Sequence, residues 1–77
     1  MSPKLPRVTA AEVLRALGRA GWYVDHRKGS HVYLRHSDRP GMRVTVATHA
    51  GEVIAPKTLQ SILEQAGLAA DELRRLL

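Results

Sequence analysis

His31-Val-Tyr-Leu-Arg-His36, then the turn Ser37-Asp-Arg-Pro-Gly41, then Met42-Arg-Val-Thr-Val-Ala47, is the stretch whose reading decides the fold. Val32 and Leu34, and after the turn Val44 and Val46, recur at every second position, the period of a strand buried on one side. His31, Tyr33 and Arg35, then Arg43, Thr45 and Ala47, go to the other side. Ser, Asp, Pro and Gly supply the turn. The four apolar residues must share one face, because a slip of one residue would turn them all to water. A hairpin centred on Arg39 satisfies this by opposing Leu34 to Val44, Tyr33 to Thr45 and His31 to Ala47.

Upstream, Trp22-Tyr-Val-Asp-His-Arg27 is rich in strand formers and supplies a third strand. Trp22 and Val24 should face the core, a parity that asks for an odd-length turn. A three-residue Lys28-Gly29-Ser30 loop is therefore expected, with Arg27 opposite His31, Asp25 opposite Tyr33 and Tyr23 opposite Arg35. His26 and His36 then fall on the core side near the rim and pack there.

Helices flank the strands. Thr9 and Glu12 have the spacing of a capping box, and Ala10, Val13, Leu14 and Leu17 form one apolar stripe that ends at Gly21. Pro56 opens a second helix with Leu59, Ile62, Leu63 and Ala66 inward; Gly67 stops it and Leu68 folds back. Residues 70–76 form a last short helix, with Asp71 and Glu72 in its first turn and Arg74 and Arg75 in its last, as the helix dipole prefers. Two helix stripes and one apolar sheet face make an α+β two-layer sandwich of order α-β-β-β-α plus a short C-terminal helix, with the other sheet face open. Residues 9–77 form one domain; residues 1–8, with Pro3 and Pro6, read as an extended N-terminal arm.

A chain of 77 residues holds a thin core, since a domain of this size buries only about 60% of its unfolded surface. Its site should lie on an open surface rather than in a deep pocket. The absence of cysteine excludes disulfides, thiolate chemistry and cysteine zinc sites. Residues 1–8 carry no signal-like apolar core and no stretch is long enough to span a bilayer, so the expectation is a cytoplasmic protein with no membrane partner. The net charge of +5 is uneven: Lys4 to Arg43 holds nine Lys/Arg against Glu12, Asp25 and Asp38, whereas three cations from Val44 onward face four carboxylates. A basic half of this kind suits a polyanion or an acidic partner, and arginine, the commoner cation, suits phosphate.

On the expected register the open face carries Tyr23, Arg27, His31, Tyr33, Arg35, Arg43 and Thr45. Arginines neutralise phosphates and tyrosines stack on unpaired bases, although the same residues also suit an ordinary solvated sheet face. His31 adds chemistry, because imidazole can remove a 2′-hydroxyl proton or protonate a leaving oxygen near neutral pH without a metal. Gly29 lets backbone approach a phosphate, and Lys28 or Arg27 can meet developing charge. The bland reading of Gly29-Ser30-His31 is a decorated strand start. His49 shares the face of His31 if the third strand continues past Ala47, and otherwise starts a loop. The four histidines match no common zinc spacing, so no metal site is expected.

Gly21-Trp22, Lys28-Gly29-Ser30-His31, Val44-Thr-Val with His49, Lys57-Thr58-Leu59, Ile62-Leu-Glu-Gln-Ala-Gly-Leu68 and Asp71-Glu72, in this order, resemble the HicA family from about Ala10 to Leu73. The resemblance implies a double-stranded-RNA-binding-domain-like fold and the toxin of a type II toxin–antitoxin pair. It also implies an mRNA interferase, an endonuclease acting on mRNA, that is neutralised by a HicB-type antitoxin and needs no cofactor. The family's essential histidine maps onto His31. Lys28, Gly29, Ser30 and His49 are the further catalytic or RNA-positioning candidates, and Arg27, Tyr33, Arg35 and Arg43 the RNA-binding ones. Where family members commonly have proline shortly before the second histidine, this chain has Ala47-Thr48.

Two other readings share the element order. One is a non-catalytic double-stranded-RNA-binding module, which would usually bring several lysines to the start of its last main helix; only Lys57 stands there. The other is a structural domain whose basic face meets an acidic protein.

Overall fold

The computed structural model describes residues 5–77; the first part of the expected arm lies outside the described residues. The elements run α1 (Ala10–Arg19), β1 (Trp22–Lys28), β2 (His31–His36), β3 (Val44–Ala47), α2 (Pro56–Ala66) and α3 (Ala70–Leu76). The strands form an antiparallel meander of order β1-β2-β3. The helices cover one face of it, the α+β sandwich that the apolar pattern predicts.

Each helix begins and ends for a local reason. At α1 the Thr9 hydroxyl accepts the Glu12 amide at 3.3 Å, while the Glu12 carboxylate accepts the Thr9 amide at 3.0 Å. Two of the free donors of the first turn are satisfied in this way. Those bonds hold the Glu12 carboxyl below its ordinary value, the Thr9 backbone amide first and its hydroxyl second. Pro56 is the first residue of α2, and Gly67 ends it in the left-handed conformation with the Leu68 amide donating to Leu63 O at 2.9 Å. The Arg39 guanidinium, from the β2–β3 turn, donates to Ala66 O at 2.9 Å and so satisfies a terminal carbonyl of α2. Arg19 likewise donates to Leu76 O and ties α1 to α3.

Between the layers lie Val13, Leu17, Val32, Leu34, Val44, Val46, Leu59, Ile62, Leu63 and Leu73, all buried. Each large one is worth about 1.5–3 kcal/mol by burial. Two expectations for this layer change. Ala16 is fully buried whereas Leu14 only packs against the margin, because the sheet meets α1 slightly to one side of the expected stripe. Val24 lies beside Leu34 on the helix side yet is 47% exposed, since β1 is an edge strand that overhangs the helices. Ahead of α1, Val8 is also in the core, and its carbonyl accepts the Ile54 amide at 2.8 Å.

The β2–β3 register is the expected one: Leu34 pairs with Val44, Tyr33 with Thr45 and His31 with Ala47. β3 itself is shorter than the alternation suggests, since Met42 and Arg43 precede the ladder. The β1–β2 register differs. Lys28, not Arg27, pairs with His31; Arg27 pairs with Val32 and His26 with Tyr33, while Tyr23 keeps Arg35. The turn is the two-residue Gly29-Ser30. Gly29 takes a φ of 58° and Ser30 does not, the pattern of a turn that wants glycine at its first central position. The odd residue demanded by parity is accommodated instead by a β-bulge at Asp25.

Candidate functional site

The bulge decides which side chains meet on the uncovered face. Residues before it keep the expected side and those after it change over. His26, expected to pack on the core side, stands on the open face beside Tyr33. Arg27, expected on the open face, lies on the helix side, where it lines a shallow cleft with Thr9, Ala10, Leu14 and His49. Lys28 takes the position across from His31 that was expected of Arg27.

The open face therefore runs from Lys28 and His31 at the hairpin end, through His26 and Tyr33, to Tyr23, Arg35 and Arg43. Tyr33 is the centre of this row. The His26 ring stacks on it with centroids 4.5 Å apart and planes 13° apart, and the Arg43 guanidinium lies 5.2 Å from its centroid. The cation and ring are attracted through the ring quadrupole. His26 Nδ1–H donates to Asp25 at 2.8 Å, so the bulged residue and its neighbour form a carboxylate–imidazole pair. Sequence reasoning missed this pair. Asp25-His26 is visible as a dipeptide, but only the bulge turns His26 onto the face where RNA chemistry was expected.

Ser30 closes the turn and His31 starts β2, and both are exposed. The Ser30 carbonyl accepts both the Thr48 amide at 2.7 Å and the Thr48 hydroxyl at 2.9 Å, which pins the end of β3 to the turn that carries the histidine. β3 stops at Ala47, so the continuation that would bring His49 beside His31 does not form. His49 opens a turn in which its carbonyl accepts the Glu52 amide at 3.1 Å. Its side chain lines two clefts at the α1 end of the molecule. The structure thus brings together Lys28, Gly29, Ser30, His31, Tyr33, Arg35 and Arg43, and separates Arg27 and His49 from the open face.

His36 lies at the far rim. Its Nε2–H donates to Ala20 O at 2.9 Å, its Nδ1 accepts the Asp38 amide at 3.1 Å, and its ring meets Trp22 edge-on with centroids 5.3 Å apart. Both nitrogens are engaged, so His36 is a packing residue.

A family described as HicA toxin of bacterial toxin-antitoxin matches residues 10–68, from the first residue of α1 to the residue after the α2 stop. The chain belongs to the HicA toxin family. Membership makes it the toxin half of a toxin–antitoxin pair, with a partner to match. The element order α-β-β-β-α-α is that of a double-stranded-RNA-binding-domain-like fold. No curated protein matches the chain. Among the described residues no helix is long and apolar enough to cross a membrane.

Proposed function

We propose that this HicA toxin is a metal-independent endoribonuclease that cleaves mRNA in the cytoplasm, with His31 as a catalytic residue and a HicB-type antitoxin as its inhibitor. The observation that carries the reading is the position of His31. It is exposed at the start of β2, on the sheet face that no helix covers, with Lys28 directly across the hairpin. Backbone cleavage needs a proton taken from the 2′-hydroxyl and charge relief at phosphorus; imidazole serves the first and an ammonium the second. Gly29 and Ser30 bring backbone close to the bound phosphate, while Tyr33 offers a ring to a base and Arg35 and Arg43 offer charge to neighbouring phosphates. Arg27 and His49 contribute from the α1 side, where a strand leaving the open face would turn the corner. An antitoxin that covers the open sheet would block all of these groups at once.

The test is expression of the chain without its partner. Growth arrest with loss of mRNA is expected, and His31→Ala should abolish both while the protein keeps its thermal transition. Cleavage of RNA by the purified protein should persist in EDTA. A folded H31A protein that stays fully toxic refutes the assignment; tight duplex-RNA binding with no cleavage supports a non-catalytic binding module instead.

A further inference from the structure

The pair formed by Asp25 and His26 has no role in the reading above. His26 is half exposed, its side chain 52% accessible, yet it is held in two ways: flat against Tyr33 and through Nδ1 by the Asp25 carboxylate, itself 43% accessible. A solvated histidine that only decorates a strand needs neither restraint. With Nδ1–H committed to the carboxylate, Nε2 is the nitrogen left to exchange a proton with a ligand. The register fixes where this happens. His26 faces Tyr33, which lies two residues along β2 from His31, so the two histidines are diagonal neighbours on one face, beside Lys28. Diagonal positions across an antiparallel pair stand roughly 7–8 Å apart at Cα, a separation that two imidazoles can bridge with a phosphodiester between them.

We infer that His26, oriented by Asp25, is the general acid that complements His31 in RNA cleavage; the inference rests on the ribonuclease reading above. His31 takes the proton of the 2′-hydroxyl and the 2′-oxygen bonds to phosphorus. The bond from phosphorus to the 5′-oxygen breaks, and His26 delivers its Nε2 proton to that oxygen. The products are a 2′,3′-cyclic phosphate and a 5′-hydroxyl. His31 has gained one proton and His26 has lost one, so exchange with water restores both. Asp25 is a positioning residue: it selects the nitrogen and holds the ring. The stack on Tyr33 keeps the ring in place without consuming either nitrogen.

A substrate with a sulfur leaving group tests this, because a departing thiolate needs no proton. An oligoribonucleotide is prepared with a single 5′-bridging phosphorothiolate at a linkage that the wild-type protein cuts, beside its all-oxygen counterpart. His26→Ala and His26→Phe should each lose about 10²–10⁴-fold on the oxygen linkage, the contribution typical of a general acid. On the sulfur linkage both should return to within about tenfold of wild type, whereas H31A should fail on both. H26F retains a ring to stack on Tyr33; if it cleaves the oxygen linkage normally, His26 only stacks and the inference is overturned. Equal losses on the two linkages overturn it as well. A wild-type protein that cleaves no RNA in the first place overturns the ribonuclease reading itself, and the general acid with it.

Discussion

Gly21→Ala is the substitution for which the structure gives the fullest forecast. Gly21 links α1 to β1 with a φ of 99°, and a Cβ built there would stand 2.5 Å from His36 Nε2. An imidazole at the end of a free side chain would swing away at little cost. This one is held by the Ala20 carbonyl, the Asp38 amide and the T-shaped contact with the Trp22 ring, so moving it breaks those contacts. The backbone conformation alone should cost about 1–3 kcal/mol for a non-glycine residue. Loss of the His36 contacts should add about 1–2 kcal/mol. A domain of 77 residues has roughly 4–12 kcal/mol in total, so the variant gives up a large share. Each kcal/mol lowers Tm by about 4–8 °C at this size, which makes a fall of more than about 10 °C the expected outcome. The decisive measurement is a double-mutant cycle with His36→Ala, by urea denaturation at fixed pH. With the imidazole gone, G21A should cost only the backbone part, leaving a coupling of about 1–2 kcal/mol. Additive costs, with no coupling, would refute the collision as the cause.

Two further perturbations probe the fold around the site. Thr9→Ala removes one half of the capping box and should cost about 1 kcal/mol by thermal or urea melting; a loss below a few tenths would mean that the Glu12 carboxylate caps the helix unaided. The folded-state Glu12 carboxyl lies below its value of 4.5 in the unfolded chain, so its contribution is present above that pH and fades as pH falls through the lower folded value. A stability profile between neutral pH and pH 3 should therefore fall less steeply on the acid side for T9A than for wild type. Deletion of Asp25 should convert β1 and β2 into a regular ladder with Val24 still beside Leu34 and His26 still beside Tyr33. It should cost about 1 kcal/mol, and NMR should show the His26 and Tyr33 rings still in contact; their separation would mean that the register had slipped.

The legibility of this chain divides at the Gly29-Ser30 turn. Downstream, Val32, Leu34, Val44 and Val46 alternate without interruption, and every pairing they demand is present, because a one-residue error would expose the whole core face. Upstream, the same parity argument has two physical solutions, an odd turn or an extra residue within a strand. Nothing in Tyr23-Val-Asp-His26 separates them. The bulge is settled by the match between a two-residue glycine-first turn and strand twist, which is a three-dimensional preference rather than a pattern of polarity. From that single difference come the reversed faces of His26 and Arg27. The placement of the candidate residues was accordingly legible at Gly29, Ser30, His31, Tyr33, Arg35 and Arg43, and illegible at Lys28, which was expected in the loop, and at the Asp25–His26 pair. His49 fails for another reason: β3 ends at Ala47 and the chain turns at His49, whose carbonyl accepts the Glu52 amide.

A three-stranded sheet has two rims for one central strand, and a bare rim is a template on which a second copy can pair and start a stack. The two rims here are closed by unlike means. At β3, the Thr45 amide is already taken by Gln65 Oε1 at 2.9 Å, a side chain reaching down from α2. At β1, the rim is broken by the bulge and carries Asp25, Arg27 and Lys28, so an incoming chain meets an interrupted ladder and a desolvation cost. On the proposed function, release from the antitoxin uncovers the sheet face all at once, at the moment when self-pairing would waste it. Blunted rims let that face be uncovered without the molecule becoming a seed for aggregation.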